Sequence, residues 1–154
     1  MRNPSATLLA TLLTIAAALP MSAQAPTPTP NTTPGAVVRV IHIRIKPGRA
    51  DAYWADMRQN FKPVWDAEKQ AGIISDYIVA TKSTTEGPND WGVSVQLVYP
   101  NWAAFDNLAS KTDPITLAHY GSAAKRTAAA NARPENSETV ASYLVRRQTV
   151  NPWP

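Results

Sequence analysis

The sequence predicts an α+β domain in which one four-stranded antiparallel sheet carries helices on a single face. Three observations predict it. Four segments have strand character, two of them alternating apolar with polar residues; two longer segments have helical spacing or composition; and their order along the chain is β-α-β-β-α-β.

Residues 1 to 25 precede this unit. They hold Arg2 near the start, an uncharged apolar run from Leu8 to Leu19 and the small-residue ending Ala23-Gln24-Ala25, the three parts of a secretory signal peptide. The run is shorter than the about 20 residues a bilayer span needs, so cleavage near Ala25 and release to the periplasm or beyond are expected, not stable membrane insertion. Residues 26 to 36, rich in Pro and Thr, are expected to be an extended, solvated spacer outside any ladder. The folded domain is expected over residues 37 to 150, with 151 to 154 as a tail whose Trp153 can clasp a neighbouring surface.

The first strand reads VVRVIHIRIK over residues 37 to 46. Ile41, Ile43 and Ile45 fall on one face, and Val38, Val40, His42 and Arg44 on the other. A Pro47-Gly48 turn leads into a helix with Asp51 in its first turn, favourable to the positive end of the helix dipole. Tyr53, Trp54, Met57, Phe61, Val64 and Trp65 recur there at three- and four-residue steps, and Glu68 continues the series as its one charged member. Pro63 removes a backbone donor and is expected to kink or split the helix near Lys62; Gly72 supplies a left-handed stop.

Residues 73 to 81, IISDYIVAT, form the second expected strand, and the turn-rich residues 82 to 90 a loop. The third strand, WGVSVQLVY, sets Trp91, Val93, Val95, Leu97 and Tyr99 against Gly92, Ser94, Gln96 and Val98. Pro100 ends it, and Asn101 is expected to cap a short helix through Leu108. Asp113-Pro114 reads as the start of an alanine-rich helix that runs to about Asn131 and is interrupted by Gly121. Residues 139 to 149 supply the fourth strand. The whole order is the split βαβ arrangement of ferredoxin-like domains.

Composition excludes several chemistries. There is no cysteine, hence no disulfide and no thiolate metal site. The formal charge of +4 comes without runs of Lys or Arg, so neither nucleic acid nor an acidic membrane surface is an expected partner. His42 and His119 are the only histidines, with no HExxH motif, phosphate-binding glycine loop or Ser-His-Asp order, and no metal is expected.

A strand followed by KPGR and a helix with Tyr53 four residues after Arg49, a Gly-terminated helix, a paired strand, then Asp90-Trp91 before a strand and YPNWAAF, resembles the dimeric α/β-barrel superfamily. That superfamily includes antibiotic-biosynthesis monooxygenase-like, NIPSNAP-like and EthD-like domains. The resemblance runs from about Val37 to Thr149. It implies a homodimer in which two sheets face each other and enclose a small cavity in each half. Haem-degrading members carry an axial histidine after strand three, where His119 lies. Their strand-one asparagine is missing, since Ile41, His42 and Ile43 stand there, and Trp91 matches their ring-distorting tryptophan only loosely. No cofactor is expected.

The face turned away from the helices would show Val38, Val40, His42, Arg44, Ser94, Gln96 and Val98, a mixed stripe that needs a partner. His42 and Arg44 are the candidate catalytic pair, an imidazole and a fixed cation able to polarise an anionic or carbonyl ligand; the same two residues can equally be hydrogen-bonded interface groups. Val40, Ser94, Gln96 and Tyr77 are the candidate ligand contacts, Tyr77 with either face open to it. Three functions follow: an exported homodimer that binds a small, partly apolar molecule in the barrel; a cofactor-free monooxygenase or isomerase with His42 as base and Arg44 stabilising an enolate; or an interaction module whose sheet face serves dimerisation only.

Overall fold

The computed structural model describes residues 30 to 84 and 86 to 153; the signal peptide expected over residues 1 to 25 lies outside them. Strand β1 (Thr32–Ile45) leads to α1 (Ala50–Asp56), a π-helical turn (Met57–Phe61) and α2 (Lys62–Gln70). Strands β2 (Asp76–Thr81) and β3 (Val93–Tyr99) follow, then a 3-10 turn (Trp102–Phe105), α3 (Leu108–Tyr120), α4 (Ala123–Ala132), a second 3-10 turn (Arg133–Glu135) and β4 (Ser137–Val150). The sheet order is β2-β3-β1-β4 with every neighbour antiparallel. This is the α+β, ferredoxin-like arrangement the element order predicts.

Register assigns the two faces. Paired residues in an antiparallel ladder share a face, so Ile41 opposite Val95, Arg39 opposite Leu97 and Tyr77 opposite Leu97 point one way. There Tyr53, Met57, Trp65, Ile74, Val93, Val95, Leu97 and Tyr99 form the main buried cluster, with Ile41, Ile43 and Ile45 packed against it. On the other face, Val38, Val40 and Val98 make a smaller one.

The long helical stretch owes its shape to the widened turn. Tyr53, Met57, Phe61 and Trp65 are four residues apart, a spacing that drifts by about 40° per step in a helix of 3.6 residues per turn. A π turn holds more residues per turn and offsets part of that drift, so all four can face the sheet. Pro63, which lacks the N–H that would bond back toward the π turn, sits at the first positions of α2, as its chemistry requires. The split expected near Lys62 is therefore present as a change of helix type. Gly72 closes α2 with φ of +71°, in the left-handed region.

Four expectations need correction. Residues 32 to 36 are not an unpaired spacer: Thr32, Thr33 and Pro34 pair with Val150, Thr149 and Gln148, and β1 and β4 run past the end of β3 as a two-stranded arm. In the arm β1 has a neighbour on one side only, and a strand with an open side tolerates proline. The last helical segment does not start at Pro114: α3 begins at Leu108, after Asn107 in the left-handed conformation (φ 53°), and takes Pro114 into its interior. Asn101 makes no side-chain cap, and the turn it precedes is 3-10. The outer stripe, lastly, is not bare throughout. Val38, Val40, Ser94 and Val98 are buried, all on strands with a neighbour on each side, whereas Ile78 of β2 and Tyr143 and Val145 of β4 are exposed. Gly121, also left-handed at φ 73°, separates α3 from α4 as expected, and Ser122 then caps α4 by accepting from the Lys125 N–H.

Candidate functional site

The structure splits the residues singled out by sequence. His42, Val40, Ser94 and Gln96 do share the outer face, where His42 lies opposite Ser94 on β3 and Ala141 on β4, and Val40 opposite Gln96 and Tyr143. The His42 ring stacks on Trp91 with centroids 4.1 Å apart and planes 20° from parallel, and meets Tyr143 edge-on at 5.6 Å. Lys82 Nζ stands 5.0 Å from the Trp91 ring centre. Arg44 shares the face but not the chemistry: its Nη2 pairs with Glu138 Oε1 and its Nη1 donates to Asn89 Oδ1 at 3.2 Å. A guanidinium held this way is already neutralised, and it is a weak candidate for stabilising a developing enolate.

Tyr77 belongs to the opposite face. Its ring lies 5.4 Å from that of Trp65, and its hydroxyl donates to Asp66 Oδ1 at 2.7 Å, so it cannot contact a ligand beside His42. Sequence left its direction open; pairing with Leu97 decides it.

His42, Val40, Ser94 and Gln96 line neither of two cavities that open on the helix side. The first, of about 440 Å³, lies between the sheet and the helices, with Ile43, Tyr53, Asp56, Phe61, Arg133 and Thr139 in its wall. The second, also about 440 Å³, lies among α2, α3 and α4 and shares Phe61, Ala130 and Arg133 with the first. Both volumes are within the range typical of small-molecule sites. The π turn supplies Phe61 to both, in keeping with the placing of such turns at functional sites.

A chain of polar contacts organises the layer between them. Arg133 Nε donates to Asp56 Oδ2 at 3.0 Å, Arg133 Nη2 donates to the Tyr120 hydroxyl at 2.7 Å, and the guanidinium lies 4.1 Å from the Phe61 ring centre. Asn60 Nδ2 donates to Asp56 Oδ1 at 2.6 Å. That leaves Asn60 Oδ1, which can only accept, facing His119 Nε2 at 3.1 Å, so the imidazole carries a proton on Nε2. His119 is thereby committed within the helical layer.

One group beside the first cavity is left over. Tyr53 is 4% exposed, and its hydroxyl is a buried polar atom with no hydrogen-bond partner among the described residues. Burial first, and the negative charge of Asp56 second, push its pKa up to about 12. The phenol therefore stays protonated at neutral pH and remains a donor without an acceptor. Sequence reasoning placed Tyr53 in the core series and missed this role. Arg133 and Asp56 left no signal either, because their partnership spans 77 positions of the chain.

Among the described residues no three His, Cys, Asp or Glu side chains stand together as a metal site, and no helix is long and apolar enough to cross a membrane. No protein-family model matches the chain, and no curated protein does. Solved structures do. The chain is similar to HapK from Hahella chejuensis at 15% identity over 77% of this chain and 97% of that one, with a TM-score of 0.46. It is similar to a dimeric protein of unknown function and ferredoxin-like fold from Bacteroides fragilis at 13% identity, over 74% and 96% of the two chains, with a TM-score of 0.40. A dimeric ferredoxin-like protein from an uncultured marine organism matches at 13% identity over 79% of this chain and all of that one, with a TM-score of 0.46. Similarity at this level carries no information about ligand or reaction.

Proposed function

We propose that the chain is an exported homodimer that binds a small molecule in the cleft between its sheet and its helices, and that the outer face around His42 serves as the dimer surface. The observation that carries the binding site is a cavity of about 440 Å³ walled in part by Tyr53, whose hydroxyl is buried and unpartnered behind that wall, so that a ligand must open the wall slightly to reach it. A buried donor without an acceptor is destabilising, and a ligand carbonyl, ether or hydroxyl oxygen would satisfy it. Ile43 and Phe61 provide apolar wall for the rest of such a molecule.

Dimerisation is supported by what the outer face leaves exposed. Ile78, Tyr143 and Val145 remain open at its rims, and β4 is a 14-residue edge strand that also exposes Val140 and Leu144. Long apolar edges of this kind are normally covered. Export is supported by the composition of residues 1 to 25. A reaction run by His42 and Arg44 has less support, since the imidazole is stacked on Trp91 and the guanidinium is paired with Glu138.

Native mass spectrometry of protein purified from the envelope fraction of its own cells tests the proposal. The expected result is a dimer carrying a small molecule that is lost on denaturation and weakened at least severalfold by Tyr53→Phe. A dimer that carries nothing, or one that retains the molecule equally with Phe at that position, would overturn it.

A further inference from the structure

Glu68 is a carboxylate without a counterpart. It occupies a place in α2 where the spacing of Val64 and Trp65 calls for an apolar side chain, and it is 7% exposed. Its backbone carbonyl accepts from the Ile73 N–H at 2.9 Å, but its side chain makes no hydrogen bond or ion pair with any described residue. Burial holds its carboxyl above the ordinary glutamate value. A buried acid in this state opposes folding, and an apolar residue would serve packing better.

Its surroundings say what would relieve it. Glu68 lines the second cavity, together with Val64, Trp65 and Tyr120. Two guanidinium groups share that wall, and both are already engaged. Arg126 Nη1 donates to Asp113 Oδ1 at 2.8 Å and to Thr116 Oγ1 at 3.2 Å, while Arg133 is held by Asp56 and Tyr120. From β3, Tyr99 is near enough for its phenol to feel the Glu68 charge. With Arg126 paired to Asp113 and Arg133 to Asp56, Glu68 is the one charged side chain of this wall without a partner among the described residues, and Trp65 and Tyr120 stand in the same wall. Aromatic faces and a carboxylate together favour a cation.

We propose that this second cavity binds an organic ammonium ion, with its cationic head paired to Glu68 and its apolar body against Val64 and Trp65. This cavity adjoins the one beside Tyr53 through Phe61, Ala130 and Arg133, but its reading rests on Glu68 and not on that one. Phenethylammonium, phenethyl alcohol and phenylacetate, matched in size and differing in charge, are suitable probes for isothermal titration calorimetry on the full chain. The ammonium ion is expected to bind at least about tenfold more tightly than the alcohol, as a charge-assisted hydrogen bond implies. Its affinity should rise with pH as the Glu68 carboxyl ionises, and Glu68→Gln should abolish both the preference and the pH dependence. The wild-type comparison among the three probes stands even if that variant folds poorly. Equal affinity for the ammonium ion and the alcohol, preference for phenylacetate, or unchanged ammonium binding in Glu68→Gln would each overturn the proposal.

Discussion

Replacing Tyr53 with Phe should stabilise the ligand-free protein, which is unusual for a residue 4% exposed in the main core. The ring keeps its packing, and only the hydroxyl is lost. Because that hydroxyl has no partner among the described residues, the change removes a desolvated polar group without breaking a bond. An unsatisfied buried group is worth about 1 to 3 kcal/mol of instability, so a gain of at least about 1 kcal/mol is expected. For a domain of this size that corresponds to a rise in melting temperature of about 3 to 5 °C.

Alkaline pH gives the same experiment a second readout. A phenol whose pKa is about 12 in the folded protein keeps its proton where an unfolded tyrosine, with its ordinary pKa of 10.0, has lost it. The native state therefore binds more protons than the unfolded state between those values, and stability contributed by Tyr53 is lost as pH rises through that window. Urea denaturation of wild type and Tyr53→Phe should give a difference that widens in favour of the variant by about 1.4 kcal/mol per pH unit above pH 10. A variant destabilised by 1 kcal/mol or more, or a difference that stays constant with pH, would refute the reasoning. Either would mean that the hydroxyl is already satisfied.

Three further outcomes are expected. Val145→Arg places a charge on the exposed rim of the outer face and should convert the proposed dimer to monomer in sedimentation velocity, while changing monomer stability by less than about 0.5 kcal/mol; a persistent dimer would move the interface elsewhere. Arg133→Met leaves Tyr120 without its guanidinium partner and Asp56 with Asn60 alone, and urea unfolding should show a loss of about 2 kcal/mol. Pro114→Ala adds a backbone donor inside α3 and should raise stability by about 1 kcal/mol in urea unfolding; a loss would show that the proline is needed where it stands.

The two central strands were legible because they obey a period of two, whereas the faces of β2 and β4 stayed open until the register was known. The alternation around Ile41, Ile43 and Ile45 assigns the helix-facing side of β1, and the matching alternation of Val93, Val95 and Leu97 assigns that of β3. Gly72 and Gly121 mark helix ends for the same reason, since both adopt positive φ. What local rules could not supply was context. The arm over Thr32, Thr33 and Pro34 is a strand because the far end of β4 reaches it, not because of its own composition. Pro114 lies inside a helix because Asn107 starts that helix a turn and more upstream.

The site shows the same division. His42, Val40, Ser94 and Gln96 were placed together correctly, since neighbouring strands fix faces. The Arg44 partner Glu138 was invisible, 94 positions away, and so was the meeting of Asp56 with Arg133. One signal was present but given no function: Glu68 closes an otherwise apolar helical series, and a charge in that position is either exposed or unusual. It proves to be buried.

The most direct measurement is a crystal structure of the protein purified from its own cells with no ligand added. Density for a small molecule is expected in the cleft bounded by Ile43, Phe61 and Arg133, with an oxygen atom within hydrogen-bonding distance of the Tyr53 hydroxyl. Density lodged between two outer faces against His42, with the cleft holding only water, would contradict the account and return the ligand to the barrel.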